Sequence, residues 1–334
     1  MNLLPLPELL RVARLAAGRQ AWGEVRALLA PALELVRSSP ELTVLLAEAE
    51  YRGNRPNDAA ALAATVDALP AGSAPDAIRS RAANVVGAAA FTMGRLADAE
   101  GAFTRALERG RQAEDDLVAA KACNNLGNVL SVRGDVDGAL ARYRLAIPLY
   151  QRVGQPRGLA ECYHNMAIVS RGQRRWDEAD DFERRAIDFA RQANDARLLA
   201  MALVGRAEVA LASGDAAPAA ILAARAADSL RDLDDTAMEA DARRLIGEAE
   251  TARGQFDAAA TALLLAHNLA RRAGDALIAA ECTEGLAKLA AVRGDADAAT
   301  RLGTEAVAAY RAIGSPTAVQ RAEALLTRLG LPPR

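Results

Sequence analysis

Alanine recurs along this 334-residue chain at intervals of 40 residues, and this spacing constrains the fold more than any other feature. The first series consists of Ala59, Ala99, Ala139, Ala179, Ala219, Ala259 and Ala299. A second series follows seven residues behind the first: Ala106, Ala146, Ala186, Ala226, Ala266 and Ala306. That separation keeps both series on one face of an α-helix, and a fixed period of roughly 20–50 residues is typical of repeat architectures. The sequence therefore predicts a repeated helix with a small-residue face.

Turn-forming residues divide each period into two helices. Gly occupies positions 94, 134, 214, 254 and 294, Arg174 fills the remaining slot, and a series 20 residues out of phase contains Gly154, Asn194, Asp234, Gly274 and Gly314. Gly and Asn, and less readily Asp, adopt the left-handed conformation that ends a helix. A following Asp can cap the next helix, as we predict for Asp135, Asp195, Asp215, Asp235, Asp275 and Asp295.

The combination of small and large residues resembles the tetratricopeptide repeat (TPR). That consensus has a small residue at its eighth position and Ala at its twentieth and twenty-seventh, and here Leu126, Gly127, Ala139, Tyr143 and Ala146 match it. The 40-residue period and the NNLG segment are similar to a longer subclass. This subclass includes kinesin light chain, Leu-Gly-Asn adaptors, bacterial Rap-type regulators and the sensor ends of large regulatory ATPases.

The resemblance implies an all-α, right-handed α-α superhelix, a TPR solenoid of about eight helix pairs plus a C-terminal capping helix. We expect residues 1–334 to form a single solenoid. Residues 1–75 would hold two less regular repeats, because only 34 residues separate Val25 from Ala59. Residues 76–314 would hold six 40-residue repeats, and residues 315–330 the capping helix, stopped by Gly330 and Pro332. The segment PAGSAP (residues 70–75) is predicted to be a loop between the second and third repeats.

Composition argues against several classes of function. The 41 basic and 43 acidic residues give a formal charge of −2, so no basic excess favours binding to nucleic acid or to a membrane. No apolar run approaches the roughly 18 residues of a membrane-spanning helix. Glu8 and Arg11 interrupt the apolar N-terminal residues, which argues against a signal peptide. Three widely spaced cysteines, which we expect to be buried thiols, are consistent with a reducing cytoplasm.

Catalytic and metal-binding motifs are missing. His164 and His267 are the only histidines, and the chain has no phosphate-binding loop, nucleophile elbow or dinucleotide fingerprint. We therefore expect a non-catalytic protein without a cofactor or a metal ion.

The candidate binding site is a polar stripe on the first helices of the third, fourth and fifth repeats. The TPR resemblance implies that these helices line a concave surface. The predicted groove residues are Arg81, Asn84, Lys121, Asn124, Asn125, Asn128, His164, Asn165 and Arg171. Asn has donors and an acceptor, so a row of Asn can pair with the backbone of an extended peptide, while Lys121 and Arg171 would select charge. The competing interpretation is that these Asn residues are only solvated or bond between helices.

Three functions are consistent with this pattern. The leading one is an adaptor that holds a peptide segment or helix of another protein in its concave groove. The second is a regulatory sensor that controls a transcription factor, ATPase or protease, for which Leu3, Leu6 and Leu10 would supply an apolar docking face. The third is a self-assembling structural module.

In the sixth to eighth repeats the lining becomes apolar and then mainly acidic, so a partner could be selected by complementary charge. The oligomeric state is left open.

Overall fold

The protein is all-helical in a computed structural model that describes residues 4–328. Within these described residues the helices form eight pairs followed by a final helix, as the repeat pattern predicted. The helices are α1 (Leu6–Gly18), α2 (Trp22–Leu29), α3 (Leu33–Arg37), α4 (Pro40–Arg52), α5 (Pro56–Asp67), α6 (Asp76–Thr92), α7 (Leu96–Gln112), α8 (Asp116–Val132), α9 (Val136–Arg152), α10 (Pro156–Gly172), α11 (Trp176–Gln192), α12 (Ala196–Ala212), α13 (Ala216–Asp232), α14 (Thr236–Ala252), α15 (Phe256–Ala273), α16 (Ala276–Val292), α17 (Ala296–Ile313) and α18 (Pro316–Arg328).

Among the helices of residues 4–328, the second helix of the first pair is the only one that is broken. A short 3₁₀ turn that contains Pro31 separates α2 from α3, because proline lacks the amide hydrogen that a continuous helix requires. Leu6 and Leu10 pack, half-buried, against the core around Leu9 and Leu29. Both side chains are therefore partly covered within the chain, and an apolar docking face at this end stays a prediction. Leu3 lies outside the described residues, as do residues 329–330 and Pro332.

The turns confirm the predicted left-handed residues. Gly134 has φ of 82°, and the non-glycine residues Glu114 and Arg174 have φ of 53° and 57° at equivalent turns. The capping prediction is correct for Asp135, whose carboxylate accepts from the amide of Gly138 at 3.0 Å. It also holds for Asp195, Asp235, Asp275 and Asp295. Asp215 is the exception, because its side chain makes no capping hydrogen bond.

The two helices of a pair pack through complementary volumes. A Cβ added at Gly87 would lie 2.6 Å from the ring of Phe103, and Gly127 and Gly247 face Tyr143 and Leu263 in the same way. Three other first helices carry Ala at this position, and the residues at the same spacing on their second helices differ; these combinations are Ala207 with Ala223, Ala287 with Gly303, and Ala167 with Glu183. Glu183 is fully buried and lies against Gly205. Where the first helix carries Gly at this position, a large side chain from the second helix therefore fills the space.

The helices divide into two compact units, residues 1–165 and 166–334, and the boundary falls within α10. Cys123, Cys162 and Cys282 are buried free thiols, as expected. None of the helices among residues 4–328 is both long and apolar enough to cross a membrane. Within the same residues, no cluster of side chains suits a metal ion.

Candidate functional site

Side-chain amides from three successive first helices form a bonded row in the first unit. We call this row the amide strip; it consists of Asn84 on α6, Asn124, Asn125 and Asn128 on α8, and Asn165 on α10. Asn125 Nδ2 donates to Asn84 Oδ1 at 3.1 Å, and Asn165 Nδ2 donates to Asn124 Oδ1 at 3.1 Å. One amide–amide hydrogen bond therefore joins α6 to α8, and a second joins α8 to α10.

The members of the strip differ in their access to solvent. Asn124 is only 5% exposed, and its Oδ1 also lies 3.3 Å from the Sγ atom of Cys162, so this amide serves mainly to join helices. Asn84, Asn125, Asn128 and Asn165 are half-buried. Asn128 accepts a hydrogen bond from the hydroxyl of Tyr143 at 2.8 Å. All five amides therefore bond between helices, as the competing interpretation expected, and four of them are also half-buried and reach the surface.

Basic residues lie beside the strip. Arg81 donates to both carboxylate oxygens of Glu48, at 3.2 and 2.8 Å. Lys121 is exposed, yet desolvation lowers its pKa; Glu48 opposes this shift, and the positive charges of Arg52 and Arg81 add to it. A side chain that reaches solvent but is partly desolvated by surrounding protein is expected on a concave lining.

The last two predicted groove residues, His164 and Arg171, already interact with other parts of the protein. His164 is buried at 9% exposure, and its side chain already has an interaction within the protein. Arg171 lies in the second unit, where it pairs with the carboxylate of Glu208 and donates to the carbonyl oxygen of Gly205 at 3.2 Å. A role for Arg171 in charge selection stays a prediction, and its observed contact is with another first helix.

The second unit contains a charge ladder that the sequence analysis missed. It crosses four first helices and the final helix α18 through Arg171, Glu208, Arg244, Glu281 and Arg321. Arg244 is its centre, with carboxylate oxygens at 2.6 Å on Asp241, 3.0 Å on Glu248 and 3.3 Å on Glu281. Arg321 lies 2.9 Å from Glu284, which also accepts from the Tyr310 hydroxyl at 2.9 Å.

Burial affects the carboxylates of this ladder. Desolvation raises the pKa of Glu208 and of Glu281 above the ordinary value, although nearby arginines oppose the shift. The lining of the seventh and eighth pairs is therefore not the simple acidic surface that its composition suggested. Opposite charges 37 residues apart, as in Arg171 and Glu208, are the sequence signal for this ladder, since that spacing places two side chains diagonally on successive first helices.

Comparison with known proteins agrees with this architecture. A family model of the tetratricopeptide repeat matches residues 117–192, and no curated protein sequence matches the chain. The structure is similar to that of a Rap protein complexed with competence and sporulation factor, at 14% identity over 98% of each chain with a TM-score of 0.64. It is also similar to the Rap conjugation gene regulator of plasmid pLS20 in complex with the Phr* peptide, at 15% identity over 82% of this chain and 74% of that chain, with a TM-score of 0.60.

A third similar structure is larger than this chain. It is a signal transduction ATPase with numerous domains and a tetratricopeptide repeat sensor from Pyrococcus horikoshii, at 14% identity and a TM-score of 0.72. The match covers 96% of this chain and 51% of that chain. At identities this low, the structural similarity establishes the fold alone. Together with the regular helix pairs, these similarities show a tetratricopeptide-repeat fold, and the family model identifies tetratricopeptide repeats at residues 117–192.

Proposed function

We propose that this chain is a non-catalytic protein-interaction module that binds an extended segment of a partner protein along the amide strip. The observation that carries the proposal is the bonded row of amides, four of them half-buried, on three successive first helices. A carboxamide has two donor hydrogens and an acceptor oxygen with two lone pairs. Asn125 uses one donor in its bond to Asn84, so the pair retains groups that a ligand can engage.

Extended peptides offer matching chemistry. Each peptide unit carries an N–H donor and a C=O acceptor that are unpaired outside secondary structure. A row of amides fixed by hydrogen bonds needs little further ordering to bind such a backbone, and preorganisation of this kind reduces the entropic cost of binding. The similar Rap structures contain a bound competence and sporulation factor and a bound Phr* peptide, which supports a peptide as the ligand here.

The test is selection of binders from a displayed library of random 12-residue peptides on the full chain. Selected peptides are resynthesised with a fluorescent label and measured by anisotropy against the wild type and an Asn125→Ala/Asn128→Ala variant. Each lost amide contact is worth about 0.5–1.5 kcal/mol, so we expect the double change to weaken binding by about tenfold.

Asn268→Ala is the matched control, because Asn268 is an exposed amide on a second helix. It should leave the affinity unchanged, and circular dichroism should show that all variants keep their helix content. Equal affinity for the wild type and the double variant would reject the amide strip as the binding site.

A regulatory module is the second candidate, and the similarity to the sensor-containing ATPase and to the Rap conjugation gene regulator favours it. In this case peptide binding must change the protein beyond the strip. Hydrogen exchange of the second unit, measured with and without a selected peptide, distinguishes a regulator from a passive adaptor. A change confined to α6, α8 and α10 would favour the adaptor.

A further inference from the structure

Lys121 lacks the partner that its equivalent in the preceding repeat possesses. Arg81 holds the same repeat position one 40-residue period earlier, and it pairs with Glu48, 33 residues before it, on the neighbouring first helix. The residue at the same distance before Lys121 is Ala88 on α6. Helix α6 packs against α8, and the bond from Asn125 to Asn84 joins the same two helices. A methyl group therefore occupies the place of a carboxylate.

We propose that the bound segment carries an acidic side chain whose carboxylate pairs with Lys121 above Ala88, as Glu48 pairs with Arg81. This inference rests on the proposed function, because it assigns a side chain to a peptide held by the amide strip. It predicts that the ligand contains an Asp or Glu within a segment that is otherwise bound through its backbone.

The surroundings of Lys121 support an anionic ligand. Among residues 4–328, no carboxylate forms an ion pair with its ammonium group; burial, Arg52 and Arg81 lower the pKa of Lys121, while Glu48 and Glu161 raise it. Glu161, on the next first helix, is bonded to Arg157 at 3.1 Å. Arg52 is exposed and, like Arg81, adds positive charge near Lys121. A ligand carboxylate would offset this excess positive charge in a partly desolvated place, where charge pairs are stronger than in bulk water.

Elsewhere, where the two residues at these repeat positions carry charges of the same sign, a third residue of the chain with the opposite charge pairs with both. In the second unit, Glu248 and Glu281 are both acidic, and Arg244 lies between them at 3.0 and 3.3 Å. Lys288 and Arg321 are both basic, and Glu284 pairs with them at 2.8 and 2.9 Å. The described part of the chain supplies no comparable group to Lys121, and this difference assigns the missing charge to a ligand.

The test compares Ala88→Glu with Ala88→Gln, two changes of nearly equal size. The probes are peptides selected on the wild type, each made with its acidic residue and with Gln in its place. An internal carboxylate at position 88 should pair with Lys121 and weaken the acidic peptide by about tenfold, whereas the neutral Gln should change its affinity by less than about threefold. The Gln-containing peptide should bind both variants and the wild type with similar, weaker affinity.

A charge exchange gives an independent check. Lys121→Glu should weaken the acidic peptide and restore affinity for a version with Lys at the acidic position. Nuclear magnetic resonance of the Lys121 side chain in the wild type should show that its pKa rises when the acidic peptide binds, because a bound anion favours the charged form. This readout does not depend on the folding of any variant.

The outcomes separate the two proposals. Peptides that bind through Asn125 and Asn128 but show no acidic preference, with equal affinity for the two Ala88 variants, would overturn the carboxylate assignment and leave the amide strip intact. Failure to select any peptide, or indifference to the Asn changes, would overturn the proposed function and the assignment that rests on it.

Discussion

The hydroxyl group of Tyr143 links the packing of one helix pair to the amide strip. It donates to Asn128 Oδ1 at 2.8 Å while its ring packs against Gly127. Phe103 occupies the equivalent position one repeat earlier and packs against Gly87. The third and fourth pairs therefore share the packed aromatic ring, whereas the hydroxyl group is present in the fourth pair and absent from the third.

We predict that Tyr143→Phe lowers the free energy of unfolding by about 0.5–1.5 kcal/mol, the net value of one hydrogen bond. Packing should be kept, because Phe103 shows that the site accepts this ring. Urea denaturation followed by circular dichroism measures the change. A loss above about 3 kcal/mol would show that the substitution also disturbs packing and that the hydroxyl has been misjudged.

The sequence spacing places the Asn residues on one face of their helices but does not show how deeply each side chain is buried. Helical spacing determines direction, so Asn124 and Asn125 were both predicted to line the groove. Burial depends on the neighbouring helix: Asn165 and Cys162 cover Asn124, whereas Asn125 remains half-buried. The same reasoning missed Arg52 near Lys121, because Arg52 belongs to the less regular second repeat.

At the scale of helix pairs, the contact between Gly127 and Tyr143 can be tested by adding one methyl group. Gly→Ala within a helix normally gains about 0.5–1 kcal/mol, but a Cβ at Gly127 would overlap the Tyr143 ring. Overpacking of this kind costs roughly 1–3 kcal/mol. We therefore predict that Gly127→Ala lowers the midpoint of urea unfolding.

Gly101→Ala on α7 is the matched control, because the added Cβ would meet only the end of the Arg105 side chain at 3.7 Å. It should be neutral or stabilising. In a Tyr143→Ala background, Gly127→Ala should lose its cost, since the three atoms nearest the added Cβ all belong to the Tyr143 ring. Additive effects in this double-mutant cycle would rule out direct packing between the two residues.

The charge ladder is the largest element-scale feature that sequence reasoning did not predict. Its side chains were assigned one helix at a time, which makes α14 and α16 look acidic. The balance emerges only between helices, where Arg244 meets Glu281 and Arg321 meets Glu284. Composition along one helix cannot show a pairing that depends on the offset between helices.

We predict that Arg244→Met destabilises the protein by about 3–5 kcal/mol at pH 7, the usual cost of leaving partly buried charges unpaired. Arg231→Met is the control: Arg231 and Asp228 form a surface pair with side chains that are 55% and 66% exposed, so the loss should be about 0–1 kcal/mol. Urea denaturation of the two variants measures the difference, and equal losses would contradict a central role for Arg244.

The cost of Arg244→Met should depend on pH. The folded state already raises the pKa of Glu208 and Glu281, and removing a positive charge raises both further. The folded variant then binds protons at a higher pH than its unfolded chain, so its stability must increase as pH falls toward the folded pKa values. The deficit relative to the wild type should therefore be smaller at pH 5 than at pH 7. A larger deficit at pH 5 would mean that these carboxylates are not the groups left unbalanced.

For the whole molecule, the sequence predicted the repeat and the number of helix pairs because the same packing solution is copied in each period. It did not predict the break between α2 and α3, since Pro31 lies in the first pair, where the 40-residue pattern fails. It also gave no sign of the division into units within α10, because this depends on the distribution of contacts along a stack and not on a local signal.

A stack of repeats in which each pair contacts mainly its neighbours should respond locally to damage. We predict that Gly127→Ala increases hydrogen exchange in α8 and α9 more than in α14 to α17, because the lost packing lies between α8 and α9. Arg244→Met should show the opposite distribution, with increased exchange in α12, α14 and α16, whose side chains Arg244 joins. Mass spectrometry of peptic fragments under native conditions resolves these regions. A uniform increase along the chain in both variants would instead indicate that the protein opens as one cooperative body, in which case local packing defects are shared by every repeat.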